Sequence, residues 1–200
     1  MVITVLWLFC VRIVAIPHVL QQFYSQYLVP NVYIFKLSNT DSIRLIFTEE
    51  QFCHLIGFSY FGYDGKVGWD KLLNNPKKIK EFVENDKFNL IQSRILNFNI
   101  ILSILNNPNI YIYTAEDYPE FRYKSLYFAA ITENNRVFKL GIGLSGTDIH
   151  YGETYLVDMD NPKYNYYLKP DKLLTIEKRE ILLKNDFLSK ITSVKEKRII

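Results

Sequence analysis

Residues 110–178 are a succession of short runs rich in aromatic and β-branched side chains, and several joints between them are too short to hold a crossover. The runs are 110–114 (IYIYT), 124–132 (KSLYFAAIT), 136–144 (RVFKLGIGL), 153–159 (ETYLVDM), 163–169 (KYNYYLK) and 172–178 (KLLTIEK). Asn134-Asn135 joins two of them and Asp160-Asn161-Pro162 two more, residues suited to tight turns. Parallel neighbours need a connection of about a dozen residues, so this half reads as an antiparallel sheet.

The first half mixes strand and helix signals. Residues 31–37 (NVYIFKL) and 42–47 (SIRLIF) read as a hairpin around Asn39-Thr40-Asp41. Thr48 is a helix N-cap, and Gln51 three residues on completes a capping box. Phe47 and Phe52 flank it as a hydrophobic staple, and Gly57 is a stop, so 49–56 is expected to be a short helix. Gly62, Gly65 and Gly68 then read as loop glycines, because no Lys-Ser/Thr pair follows them as in a phosphate-binding loop. Residues 69–73 and 76–83 read as helical turns. Residues 87–106 carry apolar side chains at helical spacing and read as the longest helix, ended by Asn106-Asn107-Pro108. After Pro17, residues 18–28 can form an amphipathic helix. Leading helices followed by a β meander make the class α+β.

The ends are different in character. Residues 1–16 (MVITVLWLFCVRIVAI) are apolar, interrupted by Arg12, and short for a membrane span. Basic residues ahead of the apolar run and a small-residue cleavage site, which a secretory signal needs, are not visible. A buried element, a membrane anchor and an upstream start remain open for them. The expected division is an apolar segment 1–17, one domain over 18–181, and a helical or frayed tail over 182–200. Cys10 and Cys53 form no C-x-x-C pair and no zinc spacing, so a reducing, cytoplasmic setting is expected. The net charge of +3 permits a nucleic-acid partner without demanding one.

His18, His54 and His150 are the only histidines, and histidine can take and give a proton near neutrality. On the expected helix, His54 points away from the apolar side made by Phe52, Leu55 and Ile56. His150 reads as a loop residue between strands, and His18, at a helix start, is assigned no role. RNA cleavage without a metal needs a proton acceptor, a proton donor and a cation for the phosphate. His54, a hydroxyl and a basic side chain could supply these, with Lys124, Ser125, Lys139 and Thr154 placed on strands. Alternation would put Lys124 on one face with Leu126 and Phe128, and Ser125 on the other with Tyr127. Tyr166, in a tyrosine-rich run, could stack on a base. Asp158 and Asp160 form a D-x-D without further ligands at a telling spacing, so no metal and no cofactor are expected. Serine-hydrolase and Walker-type motifs are absent.

FTEEQFCHLIGF (47–58), following a short hairpin, is similar to a segment of a phage-encoded group of Barnase/EndoU/colicin/RelE-like nucleases, the fourth such phage group. Phe52, His54, Leu55 and Gly57 carry the sharp part. SRILNFNIILSILNNPNIYIY (93–113), KSLYFAAI (124–131), FKLGIGL (138–144), ETYLV (153–157) and YYLKPDKLLTIEKREI (166–181) match in order and spacing. The resemblance covers roughly residues 20–181. It implies leading helices followed by a curved antiparallel β-sheet meander, and RNA cleavage. It implies His54 as general base or acid, Lys124 on the phosphate, and Thr154 orienting the phosphate or the attacking hydroxyl. Lys139, His150 and Tyr166 are candidates for holding substrate. The partners expected are RNA (tRNA or mRNA) and an inhibitor protein, with no membrane partner. The alternative is a non-catalytic interaction module of a phage or mobile element that keeps the fold without the site.

Overall fold

The computed structural model describes residues 17–74, 82–118, 123–146, 148–161 and 165–196. The apolar segment 1–16 and most of 76–83 lie outside them. Helix α1 (residues 17–28) closes in a π-helical turn, Tyr24–Leu28, that buries Tyr24 and Leu28. The hairpin follows as β1 (Asn31–Leu37) and β2 (Ser42–Ile46).

Helix α2 (Glu49–Ile56) has the bounds its capping signals predict. The Thr48 N–H donates to Gln51 Oε1 at 3.2 Å. Gly57 ends the helix at φ +88°, a left-handed conformation that glycine adopts without a steric cost. Phe47 and Phe52 are both fully buried, and both rings pack against Tyr24.

Two local expectations fail here. Gly65 and Gly68 are not loop residues; they lie in α3 (Gly65–Asn74). Gly68 is there because a Cβ would stand 2.7 Å from the Tyr63 backbone and 3.1 Å from Cys53 Sγ. The helix expected over 87–106 is broken into α4 (Phe88–Leu96), a 3-10 turn (Phe98–Ile100) and α5 (Ile101–Asn106), with a 50° bend. At the break, Asn97 Nδ2 donates to the Ser93 carbonyl, and the Asn97 carbonyl accepts from Tyr155 Oη at 2.7 Å. Phe98 is thereby turned into the core against Tyr24, Phe52 and Tyr155.

The strands are β3 (Asn109–Ile112), β4 (Tyr127–Glu133), β5 (Arg136–Ser145), β6 (Ile149–Met159), β7 (Leu173–Leu174) and β8 (Ile176–Leu183), before a last helix α6 (Lys184–Glu196). They form one eight-stranded sheet in the order β7-β3-β4-β5-β6-β2-β1-β8. All pairings are antiparallel except β2 with β6, where Leu45 and Ile46 meet His150 and Tyr151. Residues 173–183 pair with β3 at one outer edge and with β1 at the other. One segment thus nearly closes the curved sheet and covers both of its edges, which would otherwise offer unpaired backbone groups. The α+β class stands as expected.

The β-region departs from its pattern in three places. Of residues 163–169 the described ones are not a strand: Asn165–Leu168 form a turn, and 162–164 lie outside the described residues. Asn165 Nδ2 donates to the Met159 and Asn161 carbonyls, a side-chain alternative to a ladder that bends the chain. Strand β6 begins at Ile149, so His150 is a strand residue and not a loop residue. The carboxyl end stays in strand to Leu183 before it turns helical.

One face of the sheet meets the helices: Phe35, Leu45, Phe138, Leu140, Ile142 and Tyr155 share a core with α1–α5. The other face carries a separate layer of Phe128 and Leu156 beneath Tyr113, Tyr118 and Tyr167. Beyond β2, α6 covers Val32, Ile34 and Ile46 with Phe187.

Candidate active site

In the β5–β6 ladder Gly141 pairs with Thr154 and Ile142 with Gly152, so Glu153 is an extra residue. Such a bulge bends the strand and re-aims a side chain. Here it brings a carboxylate beside Thr154 on the face away from the helices. Ser125 Oγ donates to the Glu153 carboxylate, and the Lys124 backbone N–H donates to Glu153 Oε1 at 3.2 Å. Gly141 is the floor. A Cβ there would collide with Ser125 Oγ and stand 2.8 Å from Thr154 Cγ2 and 3.3 Å from Phe128 Cε1. Ser125 and Thr154 are buried, Glu153 is half-buried, and Lys124 is exposed.

The structure therefore brings Lys124, Ser125 and Thr154 together. Their expected face alternation fails, because residues 123–126 precede β4 and Ser125 lies on Gly141 beside Phe128. Glu153 is the residue that sequence reasoning passed over. Gly152 before it is the one signal, since a glycine inside a strand pattern often marks a bulge.

His54 is exposed on α2, on the side opposite Phe52, Leu55 and Ile56 as expected. Its ring takes no hydrogen bond from the described residues. Helix α2 lies on β6 through Leu55, whose Cδ2 is 3.4 Å from where a Gly152 Cβ would be. That contact is on the helix-facing side of β6, so His54, on the outer side of α2, and the Glu153 carboxylate, on the opposite sheet face, are not brought together by it. Arg94 is close by: its Nη1 lies 3.5 Å from a Cβ built on Gly57, one helical turn past His54, and its guanidinium stands over Tyr60.

Lys139 lies on the same sheet face, two residues from Gly141, and is fully buried. Its ammonium donates to Asp158 and, at 2.7 Å, to Asn165 Oδ1, and lies 5.1 Å from the Tyr167 ring centroid. Burial lowers its pKa, against the opposing pull of Asp158. Tyr166 is half-buried, with its ring against Tyr118 and Tyr167. His150 is apart from this group. Its Nδ1 accepts the Arg44 N–H at 3.3 Å and its ring is beside Tyr127, whose hydroxyl donates to Asp41. Burial, then the Arg44 charge, push its pKa down. Cys53 is buried, and burial raises its thiol pKa to about 12.

Among the described residues, no group of three or more His, Cys, Asp or Glu side chains is arranged to hold a metal ion. No single helix among them is long and apolar enough to cross a membrane. The bent pair α4–α5 is apolar because Ile91, Ile95, Phe98, Ile101 and Ile104 face the core.

A carboxylate and two hydroxyls, with the Lys124 backbone N–H beside them, gather on the bulged face of a nearly closed sheet that has helices packed behind it, in an α+β domain. The family described as phage-Barnase-EndoU-ColicinE5/D-RelE like nuclease 4 matches residues 18–196, and the chain belongs to it. At that level it is a nuclease domain. No curated protein and no solved structure matches the chain.

Proposed function

We propose that the chain is a metal-independent endoribonuclease, a toxin or an effector of a phage or mobile element, that cleaves tRNA or mRNA in the cytoplasm. The observation that carries this reading is the bulge at Glu153, which gathers a carboxylate with Lys124, Ser125 and Thr154 over Gly141. In the proposed reaction the ribose 2′-oxygen attacks phosphorus and its proton passes to Glu153. The bond from phosphorus to the 5′-oxygen breaks, and that oxygen takes its proton from water at the exposed side of the patch. Lys124 holds the phosphate as charge builds, and Thr154 orients it. The products are a 2′,3′-cyclic phosphate and a free 5′-hydroxyl.

The test uses total tRNA and mRNA in EDTA, with single-stranded DNA beside them. The parent is compared with His54→Ala and Glu153→Gln variants matched for thermal stability. Cleavage of RNA alone by the parent, with cyclic phosphate ends, loss in Glu153→Gln and retention in His54→Ala, is the expected result; loss in His54→Ala alone moves the chemistry to the outer side of α2. Equal cleavage by all three moves the chemistry elsewhere. Cleavage of DNA removes the 2′-hydroxyl from the mechanism, and no cleavage of either leaves an interaction module with this fold.

A further inference from the structure

Four residues along β5 from Gly141, on the same sheet face, a cleft of about 390 Å³ opens over Val137. Its floor is Ala130 and Thr132 of β4 with Val137. Tyr111 of β3 and the segment with Tyr166 and Lys169 form its walls. Ala130 pairs with Lys139 and Thr132 with Val137, and residues two apart on a strand share a face, so floor and Glu153 patch are on one side. At about 3.3 Å per strand residue, some 13 Å separate Val137 from Gly141. Single-stranded nucleic acid covers that span in a few nucleotides, at about 3.4 Å or more per base.

The cleft has the chemistry such a strand needs. Tyr111 and Tyr166 line it, the second with its ring also against Tyr118 and Tyr167, and aromatic rings of this kind stack on any base; Lys169, exposed with its ammonium over the Tyr118 ring, is a cation for a phosphate. Its size suits one nucleotide, at the small end of ligand sites.

The buried lysine supports the same conclusion. A fully buried ammonium is costly, and replacing a buried ion pair by apolar groups is often neutral or stabilising. Stability alone does not account for Lys139. What it does is hold the cleft wall: it donates to Asn165 Oδ1, while Asn165 Nδ2 donates to the Met159 and Asn161 carbonyls. Tyr166 is the next residue.

We propose that this cleft binds one base of a single-stranded RNA whose scissile phosphate lies at the Glu153 patch, with Lys139 as the positioning residue for its wall. The proposal rests on the ribonuclease reading, but binding and cleavage can be read separately.

The experiment measures fluorescence anisotropy of a labelled 2′-O-methyl octanucleotide, which has no 2′-hydroxyl to attack, against the full chain. Tyr166→Ala is expected to weaken binding about 5- to 150-fold, the range for losing one base stack. Replacing the pair together, Lys139→Met with Asp158→Leu, is expected to weaken it comparably while the thermal midpoint holds or rises, which a merely structural lysine would not do. Tyr27→Ala, an exposed tyrosine on α1, is expected to leave it unchanged. In cleavage, Tyr166→Ala should lower kcat/KM for an RNA octanucleotide and leave that for a dinucleotide as it was. Parent-like affinity in Tyr166→Ala overturns the subsite even if RNA is cleaved, and so does a parent that does not bind the octanucleotide. Binding lost in Tyr166→Ala from a parent that cleaves nothing keeps the subsite and overturns the ribonuclease.

Discussion

The glycine under the candidate site offers a sharp perturbation. In Gly141→Ala the new methyl carbon would stand 2.8 Å from Thr154 Cγ2 and collide with Ser125 Oγ. Ordinary carbon contacts lie at about 3.5–4.0 Å, so Thr154 and Ser125 must each retreat by about 1 Å. Both side chains are buried, and Ser125 also holds Glu153, so the retreat moves the carboxylate. Overpacking of this kind costs about 1–3 kcal/mol, which in a domain of this size lowers Tm by about 2–12 °C. A misplacement of about 1 Å at reacting groups costs about 100-fold in rate. The matching control is Gly62→Ala, where nothing lies within 4 Å but φ is +76°, so backbone strain costs about 1–2 kcal/mol without touching the site. RNA cleavage at equal excess over Kd, well below either Tm, should fall about 100-fold in Gly141→Ala and stay at the parental rate in Gly62→Ala. A Gly141→Ala protein with lowered Tm and full cleavage would refute the placement of chemistry at this patch. Unchanged Tm and unchanged rate would refute the packing itself.

Three further outcomes follow from named contacts. Gln51→Ala removes the acceptor of the Thr48 N–H and should cost about 1 kcal/mol, read as a Tm lower by about 2–4 °C with cleavage kept. His150 is depressed by burial and then by Arg44, so the unfolded chain protonates first as pH falls through about 6.5. Its contribution to stability is complete above that pH and shrinks below it. Denaturant midpoints should decline on acidification from about pH 7.5 to about 5, and His150→Gln should flatten that part of the slope. Cys53, with its thiol pushed up to about 12, should resist alkylation at neutral pH until the protein unfolds, followed at its own peptide by mass spectrometry.

The parts of the fold legible in the sequence are those decided by neighbours along the chain. Thr48, Gln51 and Gly57 set the bounds of α2 through contacts within one or two turns, and the outward aim of His54 follows from helical geometry alone. Asn134 and Asn135 both adopt positive φ in the β4–β5 turn, which asparagine tolerates better than most residues. The tertiary structure decided the rest. Helical spacing runs through Asn97, and only Tyr155, 58 residues away, takes the carbonyl freed where the helix breaks. Lys139 looks like any outward strand residue until Asp158 and Asn165, 19 and 26 residues on, are folded over it. Glu153 joins the patch through Ser125, 28 residues earlier, and through a slip in the ladder that alternation along one strand does not contain. Local rules read interactions whose partners are a few residues apart, whereas a bulge, a buried charge and a closed sheet are settled by which distant strands meet and in what register.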